Sequence, residues 1–361
     1  MTTKSPLLSR PGAVEAAGAD AGVASHYGEP LREQRALAAG TAVVDLSHRG
    51  VVTVTGPDRL SWLNTLSSQQ VTNLAPGESS ELLLLSVQGR IEFDARVVDD
   101  GATTWLIVEA AEAAPLADYL NRMKFMLRVE IDDASDEWAV LGSTKRVEEW
   151  SGLLVWEDPW PHVRPGGYAY SVVGEDAHPG VERPWFEYLV PAAALESTVG
   201  DRPLAGVWAA EALRIAAWRP RLGAETDDKT IPHELDLLRT AVHLAKGCYK
   251  GQETIARVHN LGHPPRRLVF LQLDGSQHTL PAVGSEVRLG DRKVGAVTSV
   301  VQHYEMGPVA LAVIKRSVSP DEILTVVDGD EPYTAAQEVI VAPDAGQVVG
   351  RQTGFLKGPR S

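Results

Sequence analysis

A single cysteine, Cys248, occurs in the 361 residues of this chain. One thiol excludes an intramolecular disulfide and falls short of the four-cysteine ligation usual for a stable iron–sulfur cluster. No stretch approaches the roughly 20 apolar residues of a membrane span, and the Leu82–Leu85 run is far too short. The opening residues, MTTKSPLLSRPGAVEAAGADAGVASHYGEP, lack the continuous apolar segment of a signal peptide. With the sparse cysteine, these absences predict a soluble, cytoplasmic protein with no membrane partner. Basic charge is also in deficit: 34 Lys and Arg against 48 Asp and Glu leave a net charge of −14. That is the opposite of a nucleic-acid footprint, although a local cationic pocket can still take a small anion. Neither standard nucleotide fingerprint is present, and there is no serine nucleophile elbow. His259 and His263 are four apart, but Gly262 and Pro264 interrupt the helix that a metal pair needs, so no metal site is expected.

What remains is an ordinary globular composition, 44% hydrophobic and 23% charged, with enough length for two or three cores. Residues 1–25 are rich in Ala, Gly and Ser without a sustained period and read as a disordered tail. Residues 26–135 form a first α+β unit. It combines a helix after Pro30, the β-branched strand Val51–Thr55, apolar helical spacing at Leu60, Leu63 and Leu66, and hairpin strands at 81–86, 91–98 and 105–108. A helix around 114–125 and a strand from about Leu127 complete it. Residues 136–262 form a second α+β unit, with a strand at 185–190 and a helix near 207–218. Residues 263–344 carry short strands at 267–273, 286–289, 293–301 and 309–314, punctuated by Gly, Pro and Asp, which predicts a small antiparallel barrel. The rest, 345–361, reads as a flexible tail. The fold class is therefore α+β rather than regularly wound βαβ. Of the nine tryptophans, Trp62, Trp138 and Trp208 fit core positions, whereas Trp156, Trp160, Trp185 and Trp218 fit pocket walls near Pro, Asp and Arg.

The densest chemistry lies in Lys246-Gly247-Cys248-Tyr249-Lys250-Gly251-Gln252-Glu253. An ammonium beside a thiol favours the nucleophilic thiolate, so Lys246 is expected to tune Cys248, with Tyr249 flanking it. Gly247 and Gly251 permit close backbone approach. Gln252 and Glu253 pair an amide donor with a carboxylate acceptor, which suits a polar heterocycle. A rigid turn in which Glu253 caps or pairs with Lys246 or Arg257 is the competing reading.

This run, continued by Thr254-Ile255-Ala256-Arg257, resembles the signature of the YgfZ-type folate-binding proteins, relatives of the glycine-cleavage T-protein (aminomethyltransferase). The similarity extends from about residue 28 to about 318. Val44–Gly50 resembles "DvSHmG", Leu66–Leu74 "LtxndV", Gly89–Asp94 "GGxxDD" and Phe186–Pro191 "GfExxxP". Leu213-Arg214-Ile215 resembles "LRlEaG", and Val294–Ser299 resembles "vGxvTSg". The resemblance implies a three-domain cloverleaf, two α+β domains and a C-terminal barrel around a channel for tetrahydrofolate or a one-carbon derivative. Glu187 would hold the pterin and Asp94 would lie at its reactive edge. Arg257 would meet the glutamate tail, with Arg214, Gln252 and Glu253 as further contacts and Cys248, Lys246, Tyr249 and Asp94 as the working groups.

It also implies an accessory role in assembly or repair of iron–sulfur clusters, with client enzymes or assembly proteins as partners. A folate-dependent one-carbon transferase and a scaffold with a vestigial pocket are the alternatives. Phe93 stands at the first aspartate of "GGxxDD", Ala216 at the glutamate of "LRlEaG" and Trp218 at its glycine. The T-protein also lacks the cysteine signature. These departures point away from glycine cleavage.

Overall fold

The computed structural model of the chain describes residues 4–346. Largely buried strands form a first antiparallel sheet in the order Ser79–Leu85, Ile91–Asp99, Thr103–Val108, Gly50–Thr55, Glu130–Asp133. The helices Arg59–Leu66 and Ala110–Met123 cover one face. There Trp62, Leu63, Leu116 and Leu120 pack against Leu82, Leu84, Ala95 and Val97. Alternation sends Glu81, Leu83, Asp94, Arg96 and Val98 to the other face.

A second sheet runs Leu154–Glu157, Phe186–Pro191, Trp138–Ser143, Val43–Asp45, Leu204–Ala205, parallel only in its last pair. It borrows Val43–Asp45 from the first α+β stretch, so the two units interlock across the boundary drawn at 135/136. Its inner face carries Val44, Val140, Trp185 and Leu189, which share one core with Val51, Val98 and Ile107 of the first sheet. Glu187 lies two residues from Trp185 and Leu189, on that same face. Strands of both sheets therefore aim carboxylates and arginines into one interior.

A closed barrel follows, in the order Arg266–Leu273, Gly307–Lys315, Arg292–His303, Glu286–Leu289, Leu324–Asp328, Glu331–Val339. The last two strands extend the four expected from sequence. Their inward set is sparse (Leu324, Val326, Tyr333 and Ala335) and alternates with polar residues. The helix Val207–Ala216 joins this barrel to the second sheet.

Residues 4–25 are not a disordered tail. Leu7 and Val23 are fully buried, Val14–Glu15 pairs with Ala24–His26, and Arg10 donates to the Gly200 carbonyl. A few isolated anchors hold the segment, so composition and periodicity miss it. The expected C-terminal tail beyond Gly346 lies outside the described residues. Trp156, Trp160, Trp185 and Trp218 are all buried, whereas Trp208 is 45% exposed beside His26. Proximity to charge misled the reading for Trp156, Trp160 and Trp185, which pack against arginines inside the protein, whereas Trp218, though buried, does line a cavity.

Candidate functional site

Glu187 sits in the middle strand of three, paired with Trp156 on one side and Gly142 on the other. Its side chain is fully buried. Trp185 Nε1 donates to Oε1 at 2.9 Å; Arg96 Nε lies 3.4 Å from Oε2 and Arg49 Nη2 3.9 Å from Oε1. Burial alone would raise this carboxyl, but Arg49 and Arg96 outweigh it and hold it below the usual range, so it is ionised at neutral pH. Oε2 nevertheless has no hydrogen-bond partner.

Asp94 approaches the same interior from the first sheet, two residues from Arg96. Burial first, and Glu81 second, push its carboxyl up to about 8 against the pull of Arg219 and Arg96. Its Oδ1 is likewise buried without a partner. Phe93 points the other way, onto Tyr119 of the covering helix with ring centroids 5.9 Å apart. The missing first aspartate of "GGxxDD" thus removes no carboxylate from this interior.

The cations between these carboxylates come from segments far apart in sequence. Arg49 donates to Glu109 at 3.1 Å, and Arg221 reaches Glu109 and Asp20 at 2.6 Å each. Arg219 reaches Glu81 at 2.6 Å and Asp158 at 3.3 Å. Arg183 stacks 4.1 Å over Trp185. Two cavities approach this cluster. One of about 690 Å³ is lined by His48, Arg49, Glu109 and Arg221; the other, about 470 Å³, by His178, Arg183, Ala216 and Trp218. Arg49 on one side, and Arg183 with Trp185 on the other, partition them from Glu187.

Sequence reasoning missed Arg49, Glu81, Arg96, Glu109, Arg219 and Arg221. Two signals were available: Arg49 occupies the "m" of "DvSHmG", and Trp218-Arg219-Pro220-Arg221 sets two cations beside a helix end.

The signature loop does different work from the one expected. Lys246 does not tune the thiol. Its Nζ donates to the carbonyls of Asn64, Ser67 and Gln69 at 2.5, 2.7 and 2.8 Å, at and just beyond the C-terminus of Arg59–Leu66. Helix ends leave carbonyls unpaired, and a buried ammonium satisfies them better than it serves a neighbour. Burial lowers the Lys246 ammonium to about 8, still charged at pH 7. Tyr249 packs in a core with Leu83, Leu85 and Ile255, whereas Cys248 is exposed.

Gln252 Nε2 reaches only the Lys246 carbonyl, at 3.2 Å. Glu253 and Arg257 lie on the exposed side of Gln252–Leu261 and join no ion pair among the described residues. Gly251 has φ +88°, and a Cβ there would meet the Ser86 carbonyl oxygen at 2.6 Å; only glycine lets this loop seat against the 86–89 turn. His259 and His263 are separately engaged, by the Tyr170 hydroxyl and the Ala345 carbonyl.

Arg214 clasps the modules together. It reaches Glu211 at 2.8 Å, Glu225 at 2.9 Å and Ser299 of the barrel at 2.7 Å, leaving it no free donor pair for a ligand. Trp218 has φ +60°, a left-handed conformation costly for a bulky residue, and is nonetheless buried, its ring 5.5 Å from that of His178.

Two linked sheets and a closed barrel around a carboxylate–arginine interior define the GcvT-like fold. Over 95% of this chain and 97% of the other, the structure superposes on the glycine cleavage system aminomethyltransferase T from Bartonella henselae, with a TM-score of 0.72 at 18% identity. Residues 19–143 match the GCVT N-terminal domain. Among similar sequences, a putative chloroplastic transferase of Arabidopsis thaliana is 26% identical over 82% of this chain and 72% of its own. An aminomethyltransferase of Corynebacterium aurimucosum is 27% identical over 80% and 82%. The chain is thus similar in sequence to aminomethyltransferases and shares the fold of one. Among the described residues no helix is long and apolar enough to cross a membrane.

Proposed function

We propose that this protein binds a reduced folate, tetrahydrofolate or a one-carbon derivative, between Glu187 and Asp94. We infer that it serves assembly or repair of iron–sulfur clusters in client enzymes. The observation that carries the folate reading is a pair of buried carboxylate oxygens with no hydrogen-bond partner among the described residues, Glu187 Oε2 (Arg96 Nε lies 3.4 Å away) and Asp94 Oδ1, one on each facing sheet. Buried polar atoms without partners are rare, and a pterin bears the N–H groups and ring nitrogens that such oxygens lack. Glu187, ionised, would accept from the 2-amino group and adjacent ring N–H of a pterin, with Arg49 and Arg96 keeping it charged; Asp94 would meet its nitrogen edge. When bound, a folate supplies a one-carbon carrier; the chain's residues bind, orient and exclude water.

The accessory role is supported by the cysteine signature and by Cys248 lying exposed on a loop, available to a partner macromolecule. A folate-dependent one-carbon transferase is the second reading. It is favoured by the aminomethyltransferase relatives and by Asp94, whose unusually high ionisation range suits acid–base work.

Titration calorimetry with tetrahydrofolate tests the site: micromolar or tighter binding is expected, and no binding rejects it. Loss of cluster-enzyme activity in a deletion strain, restored by the wild type but not by Cys248→Ala, tests the role. Turnover of methylene-tetrahydrofolate by the purified protein would favour the transferase.

A further inference from the structure

Glu81 and Asp94 lie on neighbouring antiparallel strands and on the same interior face, with Glu81 opposite Arg96 and Leu83 opposite Asp94. Their hydrogen-bond partners are unequal. Glu81 Oε1 accepts from Arg219 Nη2 at 2.6 Å, and Oε2 accepts from Thr240 Oγ1 at 2.5 Å. Asp94 Oδ1 is buried with no donor at all.

The charged groups facing Asp94 come from four elements. They are Glu81 on Ser79–Leu85, Arg96 on its own strand, Glu109 before Ala110–Met123, and Arg219 after Val207–Ala216. Both cations make their ion pairs with other carboxylates: Arg96 with Glu187 and Glu109, Arg219 with Glu81 and Asp158. When two carboxylates share a poorly solvated site, one proton is retained, and it settles on the member without donors.

We propose that Glu81, locked by Arg219 and Thr240, is a positioning residue that keeps Asp94 a neutral carboxylic acid. The interior then offers one accepting carboxylate, Glu187, and one donating acid, Asp94. Resting on the folate reading, this defines the ligand class more narrowly: a pterin that presents a neutral nitrogen with a free lone pair to Asp94. A cationic nitrogen would find no counter-charge there.

The direct test needs no ligand. In the full-length protein carrying carbon-13 aspartate, the Asp94 carboxyl signal is assigned by its loss in Asp94→Asn. Its titration midpoint is expected near 8, falling by at least about one pH unit in Glu81→Gln. A wild-type midpoint in the ordinary range around 4, or one that Glu81→Gln leaves unmoved, overturns the proposal. If Glu81→Gln does not fold, Thr240→Val carries the test: it strips one donor from Glu81 Oε2, loosens the residue that positions the pair and lowers the Asp94 midpoint.

Calorimetry with tetrahydrofolate from about pH 6.5 to 9 supplies the second arm. Affinity should weaken roughly tenfold per unit above the midpoint, and the decline should begin at lower pH in Glu81→Gln. Affinity independent of pH rejects the donor role of Asp94. Absence of any tetrahydrofolate binding rejects the folate site, while the ligand-free titration still decides the role of Glu81.

Discussion

The interior around Glu187 and the loop around Cys248 are built on opposite principles. In the interior, charges from both sheets and from the segment after Val207–Ala216 are drawn out of water and balanced against one another, with two carboxylate oxygens left unpartnered. In the loop, the polar residues are either consumed by the fold, as Lys246 is, or face solvent, as Cys248, Glu253 and Arg257 do. The lesson concerns where chemistry resides. The conspicuous octapeptide supplies one accessible thiol and a structural clamp, whereas the ligand-ready groups are scattered over sequence and gathered by topology.

The largest effects should come from breaking the interior. Glu187→Ala leaves the buried Arg49 and Arg96 with Glu109 as their remaining counter-charge. Denaturant unfolding should show a loss of about 3–5 kcal/mol, and tetrahydrofolate binding should vanish from calorimetry. A variant that loses stability but keeps affinity would mean that the arginines, not the ligand, are the partners Glu187 meets.

Lys246→Met comes next. It strands three carbonyls at and beyond the end of Arg59–Leu66 and should cost about 2 kcal/mol. Alkylation of Cys248 by iodoacetamide should stay within about twofold, because no contact links the two groups. A tenfold slower thiol would restore the tuned-cysteine reading and erase the contrast between loop and interior.

Much of the architecture was legible because it depends on local pattern. Val51–Thr55, the Leu60/Leu63/Leu66 spacing and the Gly-punctuated strands after residue 263 each carry their own period, and each is found in its element. Glu187 and Asp94 were singled out through the matched motifs. Their setting was not legible. Whether Arg96 meets Glu187 depends on how two sheets face, a relation between residues 91 apart that no local window contains. Lys246 failed for the same reason, since its acceptors lie about 180 residues away. The N-terminal segment was missed because a few anchors, Leu7, Val23 and Asp20, do the holding within a bland composition.

Trp218 sharpens the contrast at intermediate cost, because it tests the chain's own departure from the family motif. Its left-handed backbone favours glycine, while its buried ring fills space beside His178. Trp218→Gly relieves the first and loses the second; Trp218→Ala loses the ring and retains the strain. The alanine variant should therefore be less stable than the glycine variant by about 1–2 kcal/mol, with both below the wild type, in matched thermal or denaturant unfolding. Equal stabilities would mean that the backbone relaxes once the indole is gone.

The smallest effects should appear on the exposed face of Gln252–Leu261. Glu253 and Arg257 are exposed and make no ion pair among the described residues, so Glu253→Ala and Arg257→Ala should each change stability by no more than about 0.5 kcal/mol. Tetrahydrofolate affinity should stay within about twofold, since neither side chain reaches the interior. These near-silent variants are informative in the deletion strain. If the loop acts on a partner macromolecule, Glu253→Ala or Arg257→Ala lowers cluster-enzyme rescue while folate binding and stability hold. If both rescue fully while Cys248→Ala does not, the thiol alone carries the loop's function and its charged neighbours serve only to keep the helix in water. If either weakens folate binding tenfold, the ligand extends out of the interior to this helix, and the separation between the two regions fails.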